Sequence, residues 1–143
     1  MRVLGFHIDE QIKSLLLSLP TMSIMNEMKT TTSAKPILKW AGGKQAIAPV
    51  LVEAFPSRFN RYFEPFVGGA SVLLQLRPSH AAVGDQNQWL IDSYVAVRQN
   101  WRRVAGHLDQ LPNTKHDYLR IRAVAPSSLG LYQRAAHLIY LNK

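Results

Sequence analysis

Cysteine is absent from this chain, which excludes disulfide bonds, thiolate metal sites and a cysteine nucleophile. Long apolar runs are lacking too: the longest, residues 14–19, falls far short of the about 20 residues that a membrane-spanning helix needs. That run follows two acidic residues and has no basic start, which argues against a signal peptide. The five histidines are scattered outside any H-E-x-x-H pattern, so we predict no metal site. Together these features favour a cytoplasmic protein without a membrane segment.

Acidic residues are scarce, with nine Asp and Glu against 17 Lys and Arg, for a net charge of +8. Residues 1–34 carry three basic and three acidic side chains, whereas residues 35–143 carry fourteen and six, so the whole excess lies in the second segment. A basic domain attracts phosphate backbones because binding releases counterions. A solvated basic surface would give the same count, so charge alone leaves both interpretations open.

The chain divides into three segments. Residues 1–34 are predicted to be a flexible N-terminal extension with at most one helix, near residues 10–19, because they have weak periodicity and a Thr-rich end. An over-long start, with Met25 or Met28 as the first residue, is an alternative. Residues 35–97 alternate strands and helices, and residues 98–143 are predicted to be helical.

Local patterns also predict the individual elements. Strands are expected at residues 61–63 and 81–84. Helices are expected at residues 49–55, 71–76, 88–97, 101–111, 114–124 and 131–141, with Asn87 as the N-cap of the third. The order strand, glycine turn, helix, strand and acidic residue is the opening of a doubly wound α/β sheet.

A glycine turn follows the first predicted strand. Gly68 and Gly69 allow a ligand to approach the backbone closely, facing the N–H groups at the start of the helix from Ser71. Asp85 ends the next strand, where a carboxylate in an open α/β sheet accepts hydrogen bonds from ribose hydroxyls. The alternatives are a glycine turn that binds no ligand and an Asp85 that only caps the next helix. Since the turn is not G-x-G-x-x-G, a nicotinamide enzyme is disfavoured.

A second glycine-containing loop covers residues 40–44. It is not a phosphate loop, because Leu38 stands where the first glycine belongs and Gln45 where Ser or Thr binds magnesium. Trp40 instead offers an aromatic face and Lys44 a cation, a pair that suits an adenine ring and a carboxylate. The alternative is a buried Trp beside a turn, with the lysine solvated.

In this order the motifs resemble the bacterial Dam-type adenine-specific DNA methyltransferases. The resemblance rests on KPILKWAGGK (35–44), FEPFVGGASV (63–72), and the DQN and LI of residues 85–91, with a further similarity at 138–143. It implies an α/β, Rossmann-like S-adenosylmethionine-dependent methyltransferase fold, incomplete here. Residues 35–97 would be the N-terminal part of the cofactor-binding domain, and residues 98–143 would lead into a helical DNA-recognition insertion.

The resemblance also implies a reaction and a cofactor site. The family transfers a methyl group from S-adenosylmethionine to the exocyclic amine of adenine in double-stranded DNA, often within restriction-modification, after the base is flipped out. By the same resemblance, Trp40 and Lys44 contact the cofactor, Phe66 and Gly68 line its pocket, and Asp85 holds the ribose hydroxyls.

One family motif does not occur. The catalytic Asp-Pro-Pro-Tyr would need adjacent prolines, and this chain has none. We therefore assign no catalytic residue and expect an N-terminal fragment that is inactive by itself. An incomplete sheet also predicts self-association or a partner chain. The alternatives are a non-catalytic, basic nucleic-acid-binding remnant and a cofactor-binding regulator.

Overall fold

The computed structural model describes residues 2–7, as backbone, and residues 34–142. The chain forms three strands and five helices in these ranges, with one 3₁₀ turn at Pro126–Ser128. The strands are β1 (Arg2–His7), β2 (Tyr62–Glu64) and β3 (His80–Asp85). The helices are α1 (Ala48–Glu53), α2 (Ser71–Leu76), α3 (Gln88–Asp109), α4 (Lys115–Arg122) and α5 (Leu131–Leu141).

The three strands form one mixed sheet in the order β1-β3-β2. Strands β2 and β3 are parallel and are joined through α2, as the order of strand, glycine turn, helix and strand predicted. Among the described residues, no strand pairs with the other edge of β2. The structure thus supports an α/β arrangement with a small sheet.

Strand β1 pairs antiparallel with β3, from Arg2 opposite Asp85 to His7 opposite His80. The sequence predicted a flexible extension here, whereas the structure pairs residues 2–7 with β3, and no local pattern in the sequence reveals these backbone partners. The helix predicted near residues 10–19 lies outside the described residues.

The predicted helices agree with the structure to within a few residues. Pro49 lies in the first turn of α1, where its missing N–H costs nothing. The Asn87 side chain accepts a hydrogen bond from the Leu90 N–H and so caps α3, as predicted. Helix α3 is broken at Asn100, whose backbone is non-helical (φ −161°, ψ 83°), between the two helices that the sequence predicted there.

Three apolar clusters hold these elements together. One lies between the sheet and helices α1 and α2 and includes Tyr62, Val72 and Val83. A second joins α3 to α5 through small side chains such as Ala96 and Ala135. The third packs Leu38, Leu90 and Leu138 beside Trp40, so the Trp40 loop rests on the helical layer.

Within residues 2–7 and 34–142, no helix is long and apolar enough to cross a membrane. In the same ranges, no three His, Asp or Glu side chains gather as a metal site would require.

Candidate functional site

The turn between β2 and α2 is the centre of the site. Its Val67 N–H donates to the Gly84 carbonyl at 2.9 Å, which ties the turn to the end of β3. Gly68 has a positive φ of 48°, a conformation that glycine adopts at little cost. The Tyr94 hydroxyl of α3 donates to the Gly68 carbonyl at 2.9 Å. Strand β3 and helix α3 therefore hold the turn.

Asp85 reaches this turn from the end of β3. Its Oδ2 accepts a hydrogen bond from the Gly68 N–H at 3.0 Å, and its Oδ1 accepts one from the Asn87 N–H, also at 3.0 Å. The carboxylate is half-buried. Since each carboxylate oxygen can accept a second hydrogen bond, Asp85 retains acceptor capacity beside the glycine turn.

Trp40 lies directly against the same turn. A Cβ placed on Gly68 would come within 3.2 Å of the Trp40 Cδ1, so the indole and the turn are in close contact. The loop that carries Trp40 is anchored at Lys39, whose N–H and carbonyl both hydrogen-bond the Asn142 side chain, at 2.6 and 2.7 Å. This contact between Lys39 and Asn142, which are 103 positions apart, thereby anchors the loop that carries the indole.

Lys44 closes the site on the side of β2. Its Nζ donates to the Phe66 carbonyl at 2.9 Å and lies 3.3 Å from the Glu64 Oε1. The Phe66 side chain is exposed. All five predicted site residues are therefore linked, directly or through one contact, around a single turn.

Two further residues belong to this arrangement without having been predicted as site residues. Glu64 is buried beside Lys44, and Tyr94 hydrogen-bonds Gly68. Burial first, and then the charges of Glu64 and Asp85, raise the pKa of Tyr94, so its hydroxyl remains a protonated donor. Glu64 sits within the motif FEPF, which could have drawn attention to it, whereas Tyr94 belongs to none of the motifs and lies simply in the helix predicted at residues 88–97.

The comparisons with known proteins identify the family of the chain. The family model of the D12 class N6 adenine-specific DNA methyltransferases matches residues 40–143, which is most of the sequence. The chain belongs to this family of DNA-modifying enzymes, as the resemblance predicted.

Individual relatives of the chain are also methyltransferases or DNA adenine methylases. A type II methyltransferase of Lactococcus lactis subsp. cremoris, M1.LlaDCHI, is 30% identical over 119 residues, covering 79% of this chain and 42% of the relative. A DNA adenine methylase of Haemophilus influenzae is 30% identical over 124 residues, 81% and 42% of the two chains. The DNA adenine methylase of Escherichia coli K12 is 29% identical over 113 residues, 76% and 40%. The chain thus spans less than half the length of these relatives.

Proposed function

We propose that this chain forms the cofactor-binding part of an adenine-specific DNA methyltransferase with a Rossmann-like fold. The observation that supports this most directly is the meeting of Trp40, Lys44 and Asp85 at the Gly68 turn. An indole face, a close backbone approach, a cation and a carboxylate are the groups that an adenosyl ligand with an amino-acid end requires. The site therefore fits S-adenosylmethionine, which supplies the methyl group when bound.

Each side chain has a distinct role in this proposal. Asp85 accepts hydrogen bonds from the ribose hydroxyls with the lone pairs that Gly68 and Asn87 leave free. Trp40 contacts the cofactor, and the Phe66 and Gly68 segment lines its pocket. Lys44 binds the carboxylate of the amino-acid end, because its ammonium carries the opposite charge.

Double-stranded DNA is the proposed substrate of the whole protein, with adenine as the methylated base. The target base has to leave the helical stack before its exocyclic amine can be reached. The excess of basic residues between positions 35 and 143 supports a DNA partner, since cations attract the phosphate backbone.

Replacing Asp85 tests the cofactor site. We expect Asp85→Ala to weaken binding of S-adenosylhomocysteine at least about tenfold, because charge-assisted hydrogen bonds are worth roughly 1.5–3 kcal/mol each. Isothermal titration calorimetry on the 143-residue chain measures the affinity, and urea unfolding shows whether the variant still folds. Asp109→Ala removes an exposed carboxylate from the end of α3 and serves as the matched control. Equal affinities of a folded Asp85→Ala variant and the unaltered chain would refute the assignment.

A second test concerns methyl transfer. Because no Asp-Pro-Pro-Tyr sequence occurs in these 143 residues, we expect the polypeptide to bind the cofactor without methylating DNA. Incubation with tritiated S-adenosylmethionine and unmethylated duplex measures incorporation. Incorporation above background by the pure chain would contradict this expectation. DNA binding by a chain that shows no detectable affinity for S-adenosylhomocysteine would favour the alternative of a non-catalytic nucleic-acid-binding protein.

A further inference from the structure

Glu64 is a charged residue in a buried position. It is only 6% exposed, although a carboxylate is costly to bury without full pairing. Its Oε1 lies 3.3 Å from the Lys44 Nζ, the one ion pair that Glu64 forms among the described residues. Its Oε2 is buried and has no well-aligned hydrogen-bond partner there. Such an arrangement needs a reason beyond packing.

Lys44 is held by two acceptors at once. An ammonium has three N–H donors, and here one is directed at the Phe66 carbonyl and one at Glu64. The third is uncommitted in the described structure, and the Lys44 side chain is 37% exposed. The two contacts therefore leave one donor of a fixed cation available to a ligand.

Ordering a lysine side chain costs conformational entropy, and a carboxylate partner can offset that cost. The lysine side chain has four rotatable bonds and loses much of its rotamer entropy when it is ordered. A buried carboxylate on a β-strand is a rigid partner for that side chain. Burial first, and then the neighbouring Glu64 carboxylate, raise the pKa of Tyr62, so a neutral hydroxyl adjoins the carboxylate on the same face of β2.

We propose that Glu64 is a positioning residue that orders the Lys44 ammonium for the carboxylate of an amino-acid-bearing nucleoside. This inference rests on the proposed function and adds a specificity: Glu64 favours ligands with the amino-acid end over the bare nucleoside. Glu64 acts through Lys44, because its own side chain is almost wholly buried.

A comparison of two ligands tests the role. S-adenosylhomocysteine carries the amino-acid end, and 5′-methylthioadenosine lacks it. We expect Glu64→Gln, which keeps the shape and removes the charge, to weaken binding of the first about fivefold and leave the second unchanged, by analogy with the upper range for partly exposed ion pairs. Glu53→Gln, an exposed change at the end of α1, is the matched control.

A double-mutant cycle completes the test. In a Lys44→Met background, Glu64→Gln should have no further effect on S-adenosylhomocysteine affinity, because its partner has been removed. Glu64 would have a purely structural role if Glu64→Gln weakened binding of both ligands equally, or if its effect on S-adenosylhomocysteine affinity persisted in full in the Lys44→Met background. Either result would overturn the inference. Unchanged binding of both ligands by Glu64→Gln would also overturn it. Failure of the unaltered chain to bind either ligand would refute the proposed function itself, a result distinct from these.

Should Glu64→Gln fail to fold, Glu64→Asp retains the charge on a shorter side chain. Glu64→Asp should weaken binding of S-adenosylhomocysteine less than Glu64→Gln does, and should leave binding of 5′-methylthioadenosine unchanged. A second readout needs no ligand: the Lys44 Nζ resonance in a lysine-selective nitrogen NMR spectrum should shift in Glu64→Gln and stay in place in Glu53→Gln. An unmoved Lys44 resonance would contradict the positioning role.

Discussion

Gly68 shows how a single position can be constrained from several directions. Its N–H is bound by Asp85, its carbonyl by Tyr94, and its α-carbon faces the Trp40 indole. Its φ of 48° lies in the left-handed region that side chains with a Cβ rarely adopt. Conformation and space therefore both favour glycine at this position.

Substituting this glycine should be costly. We expect Gly68→Ala to lower the free energy of unfolding by at least about 1–2 kcal/mol, because the left-handed backbone and the contact with Trp40 both oppose a Cβ. Gly106→Ala is the control, and its effect on stability should have the opposite sign. Gly106 lies in α3 with no atom within 4 Å of an added Cβ, so the substitution should raise the free energy of unfolding by roughly 0.5–1 kcal/mol. Urea unfolding of the two variants measures both effects. A Gly68→Ala variant as stable as the original would show that the turn relaxes freely.

At the scale of elements, the pairing of α3 with α5 supports the site. Asp92 of α3 is buried, and its carboxylate accepts hydrogen bonds from the Gln88 amide at 2.7 Å and from the Arg134 guanidinium at 2.6 Å. The Trp89 indole N–H donates to the Arg134 carbonyl at 2.7 Å. Because α3 also carries Tyr94, these contacts hold the helix that fixes the Gly68 carbonyl.

Breaking the buried ion pair should destabilise the chain. We expect Arg134→Met to cost about 3 kcal/mol, because it leaves the Asp92 carboxylate buried without its cation. The double change Asp92→Leu with Arg134→Met should cost less than the sum of the single changes, since both charges then disappear. Arg120→Met, which breaks the exposed pair with Asp117, should have little effect on the same unfolding curve. Strict additivity of the buried pair would contradict this account.

For the whole molecule, the distribution of charge bears on DNA binding. Residues 98–143 hold eight basic and two acidic side chains. The structure shows that two of the arginines already have acidic partners, Arg134 with Asp92 and Arg120 with Asp117. Arg102 and Arg103 instead stack on Trp101 and Tyr132, at 4.6 and 4.5 Å from the ring centroids. Both are exposed and can contact phosphate.

We therefore expect weak, salt-sensitive DNA binding with little sequence preference, since phosphate contacts carry no sequence information. Changing Arg102 and Arg103 together to Gln should lower affinity and reduce the slope of log K against log salt by about two. Removing the same charge from Arg58 and Arg61, in the loop before β2, should change the slope less. Fluorescence anisotropy with a labelled duplex at several salt concentrations measures the affinity and this slope. Tight binding that salt does not affect would contradict the prediction.

Much of the fold could be predicted because its signals are local. The Asn87 cap, the proline at the start of α1 and the apolar spacing of α3 each act within one or two helical turns. Strand β1 could not be predicted in this way, since its partners on β3 lie between 73 (His7 to His80) and 83 (Arg2 to Asp85) positions away in the sequence. A six-residue segment has no stable extended conformation apart from such a partner.

The sequence by itself determined the family, the glycine turn and the five residues proposed to bind the cofactor, because each is expressed as a short motif in a fixed order. Only the tertiary structure decided how those motifs meet. It placed the Trp40 indole on Gly68 through the anchor at Asn142, the Tyr94 hydroxyl on the turn, and the Lys44 ammonium against Glu64. The physical reason is that these contacts join residues 20 or more positions apart, and their geometry depends on how the sheet and the helical layer pack together.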